Sequence, residues 1–408
     1  MTYRLYAIVA VWSLAMAVHA QDIDLHAYAD ERVVAAPDDT SWTRGGFGNT
    51  RYGDGRTRLH FGGAALYASA QITPELLALG QVQYQTSGHS GFSLLEAWLR
   101  YRPVSTTPWR WSLRGGVFFP PVSLENEGVG WTSSWTISSS AINTWVGEEL
   151  RAVGGEFQLE RRGEADSWEL RASLFRRDDA AGGVLAARGW SVGDLVSGIG
   201  SRLREANAQV SEEGGTLPRY YDPFRNIGRP HWGDYAAISW HAPGETRVNL
   251  MHFNNRADPA ASAFYADGDR QFAWRTRFWS MAARTDTASL TWIAQWMDGS
   301  TRSEQAEDQL LSTHFRAVFV LLGWNRGAWR PALRIEHFST RTPSANADWR
   351  QSEHGNAITA ALNWRPRDCL RLSAEVLRID SMATVRSEYG LPARVTDTQV
   401  QLNMRVFY

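Results

Sequence analysis

The chain has 408 residues, of which 43% are hydrophobic and 21% charged, with a formal net charge of −1. Its mean hydropathy is −0.36, and after residue 20 no continuous apolar stretch reaches spanning length, which excludes a helical membrane bundle. The single cysteine, Cys369, excludes an intramolecular disulfide framework and a multi-cysteine metal site; no metal, no cofactor and no nucleic-acid partner is expected.

In chain order, residues 1–20 read as a secretory signal peptide. Arg4 supplies the positive start, residues 5–18 are apolar except for Ser13, and Val18-His19-Ala20 places a cut after Ala20. A first strand is predicted near 23–34. Two-residue alternation then recurs at 58–71, 77–85, 94–102, 109–119, 150–161, 168–176, 235–240 and 246–253. It continues at 273–284, 288–297, 315–324, 329–338, 358–365, 370–379 and 398–408. The sum is about sixteen strands, with fourteen or eighteen still compatible with the boundaries.

The last strand shows the pattern. Val400, Leu402, Met404, Val406 and Tyr408 share one parity, and Gln399, Gln401, Asn403, Arg405 and Phe407 share the other. Side chains alternate faces along a strand, so one side is apolar and the other mostly polar. A soluble sandwich would satisfy this equally well; the connections separate the two. Short joins (73–75, 103–108, 162–167, 241–245, 285–287, 325–328, 366–369) alternate with long ones (35–55, 120–147, 177–233, 254–271, 298–314, 339–357, 380–394), and only 86–91 breaks the rule. Long outer loops over short periplasmic turns are the mark of a Gram-negative outer-membrane β-barrel, predicted here for residues 21–408. Trp168, Leu170, Ala172 and Leu174 would then face lipid opposite Glu169, Arg171 and Ser173. Girdles at the two interfaces would absorb part of the 20 tryptophans. Segment 94–102 is less clean, because Trp98 shares a parity with Glu96 and Arg100.

All 42 basic residues are arginine, so every cationic site is a guanidinium suited to carboxylate and phosphate. Parity places Arg100, Arg110, Arg114, Arg171, Arg275, Arg277, Arg334, Arg371 and Arg405 in the lumen. The facing acids are Glu96, Glu156, Glu160, Glu169, Glu336 and Glu375. The third outer connection, 120–147, carries Trp131, Trp135 and Trp145, which need burial, so it is expected to fold into the barrel. Glu125, Asn126 and Glu127 would form one wall of a constriction, with Arg100, Arg110 and Arg114 nearby. In the long connection 177–233, Leu195, Val196, Ile199 and Leu203 have helical spacing, and Arg219 to Arg225 is a basic, aromatic run that would form a lid or pack on its neighbours.

Gly115-Gly116-Val117-Phe118-Phe119-Pro120-Pro121 followed by Ser123-Leu124-Glu125, and the preceding Glu96-Ala97-Trp98-Leu99-Arg100-Tyr101, resemble strands of the phosphate-selective porin O and P family. The resemblance covers about a fifth of the chain and implies a sixteen-stranded, trimeric porin with an inserted third loop. The family's lysine cluster has no counterpart in this lysine-free chain. The expected function is passive diffusion of small hydrophilic solutes, with a preference for anions if arginines dominate the narrow point. Alternatives are a sugar-selective pore along Trp98, Phe175 and Trp279, or a non-conducting barrel acting through its loops as adhesin or enzyme. No nucleophile elbow or metal-ligand spacing supports an enzyme. Val406 and the terminal Tyr408 resemble the C-terminal signal read by the outer-membrane assembly machinery.

Overall fold

A computed structural model describes residues 22–86, 91–204, 220–242, 244–265, 270–306, 309–343 and 350–408. The expected signal peptide and Arg219 lie outside them. A single antiparallel sheet of sixteen strands closes on itself. Its strands are β1 (Asp22–Ala35), β2 (Thr57–Thr73), β3 (Leu76–Tyr84), β4 (Phe92–Tyr101), β5 (Trp109–Phe118), β6 (Ala152–Arg162), β7 (Ser167–Arg176) and β8 (Gly233–Ala242). They are followed by β9 (Thr246–Asn254), β10 (Arg275–Asp286), β11 (Leu290–Ala306), β12 (Gln309–Trp324), β13 (Trp329–Thr342), β14 (Gln351–Arg367), β15 (Leu370–Ala383) and β16 (Arg394–Phe407). β16 pairs with β1 from Tyr28↔Phe407 to Ala35↔Val400, so no edge is left open.

The alternation has the predicted sense. Val400, Leu402, Met404 and Val406 point outward and are exposed, while Gln399, Gln401, Asn403 and Arg405 point inward and are buried. Trp109, Trp111, Trp168, Trp292, Trp324, Trp329 and Trp364 face outward near the short-turn end, where their amphipathic rings suit the bilayer interface. An apolar outer belt with such a girdle is stable only in a bilayer, and the short turns mark its periplasmic side. In β4, Glu96, Trp98 and Arg100 all face the lumen; a register shift at Gln81/Val82 on β3 accounts for the mixed parity upstream.

Two expected outer loops shrink. β11 runs to Ala306 and β12 begins at Gln309, and β13 and β14 extend to Thr342 and from Gln351. In these extensions the apolar alternation gives way to a mostly polar mixture, Leu310 and Leu311 apart, while pairing such as Thr301↔Thr313 and Arg302↔Ser312 continues. The barrel wall is therefore uneven, nine residues long at β3 and 17 at β14.

The interior is not uniformly polar. Phe278, Ile293, Met297, Phe315, Phe319, Leu321 and Phe338 point inward and are fully buried against the chain between β5 and β6 (loop 3) and that between β7 and β8 (loop 4). β12 is apolar on both faces, with lipid outside and this core inside.

Candidate functional site: the lumen and its two inserted loops

Loop 3 turns inward after β5. Gly116 has φ 139°, and a Cβ there would stand 2.1 Å from the Ala97 carbonyl oxygen, so only glycine lets the strand pass Trp98 this closely. Phe119 then stacks on Trp131 at 3.9 Å between centroids. Gly130, with φ 72°, brings the loop tip against Tyr28 and Ala65 on β1 and β2. The segment Ala141–Glu149 forms a wholly buried helix, α1, capped by the Ser140 side chain.

The loop is fastened to the opposite wall. Arg334 on β13 lies eight strands from β5 around the ring, and its side chain is fully buried. It pairs with Glu125 of loop 3 at 2.7 Å and with Glu336 at 3.0 Å, and donates to the Ser138 and Ser139 carbonyls at 2.7 and 3.0 Å. Glu375 accepts from the Ile137 and Ser138 amides and the Ser138 hydroxyl. Glu336 and Glu125 accept the Ala141 and Ser140 amides at the α1 N-terminus, at 2.7 and 3.1 Å, where free N–H groups and the helix dipole favour negative charge.

Loop 4 closes over this arrangement. Gly183–Arg188 forms a short helix, α2, whose first amides are capped by Glu149 at 3.2–3.3 Å. Arg188 pairs with Glu148 at 2.5 Å. Asp194 bridges Arg32 on β1 and Arg51 in the connection between β1 and β2 at 2.8 and 3.0 Å, and the Trp190 amide donates to Glu353 on β14 at 2.7 Å. Burial opposes ionisation of Asp194, but the Arg32 and Arg51 guanidinium groups outweigh it and hold its carboxyl down at about 2. Burial pushes Glu148 up to about 7, against the opposing pull of Arg188 and the Ser191 hydroxyl. The helical spacing at 195–203 is not realised. Ile199 is bridged to Leu94 of β4, and Leu203 pairs with Tyr221 within loop 4, so extended backbone pairing replaces a helix. The 220–225 part of the basic run packs against the connection between β9 and β10: the Asp222 amide donates to the Tyr265 hydroxyl at 3.0 Å, the Arg225 guanidinium donates to the Phe264 carbonyl at 2.6 Å, and Phe224 is buried.

Beneath the loops, on the periplasmic side, two cavities open. One, of about 590 Å³, lies against β1–β7 and is lined by Asp24, Glu96, Arg114, Asn126, Glu127 and Arg171 among others. The other, of about 610 Å³, lies between residues 128–134 of loop 3 and β13–β16, and is lined by Arg330, Arg365, Arg371 and Arg405. His26, Gly128 and Val129 border both.

The expected constriction residues thus separate. Glu125 is sealed as a tether rather than lining a passage, because Arg334 and the α1 N-terminus claim both of its oxygens. Asn126 donates to the Trp131 carbonyl and the Ser139 hydroxyl, each at 2.7 Å. Glu127 faces a cavity but is clamped by Arg247 and Arg284 at 2.5 and 2.7 Å. Arg114 pairs with Glu156 at 2.8 Å, Arg110 with Glu160 at 2.5 Å, and Arg171 with Glu169. Arg100 lies over Trp98 near the periplasmic end of β4 and makes no ion pair among the described residues.

Arg275 and Arg277 correct the parity reading, for both point outward and are exposed. Phe278 and Ala282 set the inner face of β10, and the two arginines sit at its outer end, beyond the apolar belt, where an outward charge costs little. Trp279 is likewise outward and Phe175 is sealed, which leaves Trp98 alone of the proposed sugar path in the lumen. Arg334 is inside the barrel but away from water, whereas Arg371 and Arg405 line the second cavity. Val406 and Tyr408 are outward, and Tyr408 exchanges two backbone hydrogen bonds with Ala27 as the barrel closes. Sequence reasoning missed Arg330 and Arg365, although each shares the inward parity of its strand, and missed the adjacent carboxylates Glu148 and Glu149.

No protein-family model and no curated protein matches the chain. Solved structures do. OmpT of Vibrio cholerae aligns with 95% of this chain, in a form lacking loop L8 (TM-score 0.53, 9% identity, 99% of that chain) and in an in-vitro folded trimer form (0.51, 10%, 99%). The outer membrane channel DcaP of Acinetobacter baumannii gives 0.52 at 10% identity over 95% of this chain and 97% of its own. The anion-selective porin from Comamonas acidovorans gives 0.50 at 10% identity, over 95% and 99%. The shared feature is the fold, a closed sixteen-stranded barrel of the outer-membrane type.

Proposed function

We propose that this chain is an outer-membrane porin that passes small hydrophilic solutes and favours anions. The observation that carries the reading is loop 3 pinned across the lumen to the opposite wall by Arg334 and Glu375, above water-accessible charged cavities. That is how a barrel is narrowed to a selective passage without being filled by a separate domain. In a planar bilayer the purified protein is expected to give discrete conductance steps with an anion-favouring reversal potential. Absence of conductance at every voltage sinks the porin reading, and a cation-favouring reversal potential removes the anion preference. The segments resembling phosphate-selective porins make phosphate a solute to test, carried here on arginine alone.

A homotrimer is part of the same reading, as in the trimer form of OmpT. The outward parity of β1–β5 carries small residues, among them Ala29, Ala64, Ala68, Gly80, Ala97 and Gly115, which let a second copy approach closely. Glu31, outward and exposed between Val33 and Ala29, is poorly placed in lipid and better placed between subunits. A monomeric species in mild detergent, by light scattering, would count against assembly.

The dry packing of loops 3 and 4 in the outer half favours one competing reading, a barrel that does not conduct at rest. The bilayer measurement separates the two.

A further inference from the structure

The inner periplasmic rim of β13–β16 carries four guanidinium groups on four consecutive strands: Arg330, Arg365, Arg371 and Arg405. They surround a cavity of about 610 Å³ whose lining contains one acidic side chain, Asp368. Among the described residues, Arg330, Arg365 and Arg371 form no ion pair. Arg405 is paired with Asp30 at 2.5 Å, but Asp30 is shared with Arg32 at 2.8 Å, so its one negative charge is already divided between two cations.

The geometry restricts these groups as well as concentrating them. Arg371 and Arg405 are register partners on neighbouring strands. Arg371 has a buried Nε with no hydrogen-bond partner. The Phe407 ring lies 5.3 Å from the Arg365 guanidinium carbon and 5.6 Å from that of Arg371, and the Arg365 Nη2 donates to the Asp368 carbonyl at 2.7 Å. Like charges held side by side without counter-charges are unfavourable, and an anion taking two or more of them restores the balance.

The wall of β4–β7 offers the contrast. There Arg110, Arg114 and Arg171 each have a glutamate partner, and Arg100 is the one of the four expected lumen arginines on this wall that makes no ion pair among the described residues. The arginine content of the lumen is therefore not evenly available.

The geometry points to a binding site for a small multivalent oxyanion, inorganic phosphate or a short dicarboxylate, at Arg330, Arg365 and Arg371, with Arg405 adding field from the side. The cavity is large enough for either. Guanidinium groups on separate strands match an anion with several acceptor oxygens better than they match chloride. The inference rests on the porin reading only in that the vestibule is water-filled, and binding can be measured without conductance.

The test is calorimetric titration of the purified folded barrel in non-ionic detergent with phosphate, with succinate and with chloride as the monovalent comparison. The comparison protein is R330Q/R365Q/R371Q, checked for folding by its heat-dependent gel mobility. Saturable binding of phosphate or succinate, at least tenfold weaker in the folded variant and absent for chloride, supports the site. The stronger of the two probes assigns the oxyanion class. Equal binding by the folded variant, or no binding by a parent barrel that conducts, overturns the site and leaves the porin reading intact. Binding by a barrel that never conducts keeps the site and removes the porin reading. Should the triple variant fail to fold, R371Q alone is expected to weaken binding at least threefold, and an unchanged affinity overturns the proposal.

Discussion

Arg330 and Arg334 stand four residues apart on one strand and face the same lumen, yet their surroundings are opposite. Arg334 is sealed among Glu125, Glu336 and the carbonyls of loop 3, whereas Arg330 lines an open cavity with no carboxylate partner among the described residues. The difference recurs throughout the interior. In the outer half, buried carboxyl groups hold loops in place through hydrogen bonds and ion pairs: Glu149 caps α2, Glu148 accepts from Arg188, and Asp194 binds Arg32 and Arg51. In the periplasmic half, part of the charge is left facing water. A lumen arginine therefore has no fixed meaning; what decides is whether a loop has brought it a carboxylate and taken away its water.

The sharpest way to break this comparison is to make the upper arginine fail. Arg334→Gln leaves Glu125 and Glu336 buried without their cation, which typically costs about 3–5 kcal/mol. Loop 3 should detach from β13, with single-channel conductance rising severalfold and protease from the outer side cutting within residues 120–147. Unchanged conductance together with an uncut loop would show that Arg334 is not the fastening. Deleting Tyr408 should act on a different stage. Its backbone closes β16 onto β1 through Ala27, and its ring is exposed at the membrane edge, so barrel yield in the outer membrane should fall severalfold. Channels that do assemble should keep their conductance, and normal surface levels would count against a role in assembly.

Why the barrel was legible and its interior was not follows from the same contrast. A bilayer imposes one simple rule on the outer face, so Leu170, Trp292 and Leu402 announce their direction through parity alone. The inner face obeys no single rule, because loops 3 and 4 bring their own apolar surface inside. In β12 the alternation expected over 315–324 is not one of apolar against polar: Phe315, Ala317, Phe319 and Leu321 point inward and are as apolar as their outward neighbours Val318 and Val320, because the inner loops rather than water lie against them. The inward course of loop 3 was readable from Trp131, Trp135 and Trp145, but not that Glu125 would meet Arg334, a contact 209 residues apart in sequence. Parity alone misplaces Arg275 and Arg277, because an outward charge is costly only at mid-bilayer and these two stand at the outer end of β10.

A smaller effect should come from pH, and its sign separates the two anchors of the inner loops. Burial raises the Glu148 carboxyl from an ordinary 4.5 to about 7, so the docked state holds this proton more tightly than an undocked or unfolded one. Its contribution to docking is complete below about pH 4.5 and is lost as pH rises through about 7. Asp194 runs the other way. Its carboxyl, lowered from an ordinary 3.8 to about 2, supports docking above that range and fails only as pH falls toward 2. Current fluctuations should therefore increase from pH 6 to pH 8, a modest change that Glu148→Gln should flatten while the behaviour at pH 4 is preserved. A pH response that survives in this variant would place the titrating group elsewhere.

The smallest expected effect belongs to the arginines that share the sequence signature of the lumen without sharing its location. Arg275 and Arg277 face outward at the outer end of β10, where the cost of a charge on the lipid side has fallen to roughly 0–1 kcal/mol from the 2–4 kcal/mol of mid-bilayer. Their neutralisation removes no ion pair among the described residues; the Arg275 bond to the Ala257 carbonyl is the one polar contact at stake. Arg275→Gln/Arg277→Gln should thus leave the reversal potential unchanged, whereas Arg371→Gln shifts it toward cations although it removes one charge rather than two. If the outer pair moved the reversal potential as far as Arg371, ions would be sensing charge across the barrel wall as strongly as within the vestibule. Position relative to the sheet would then no longer distinguish useful arginines from idle ones.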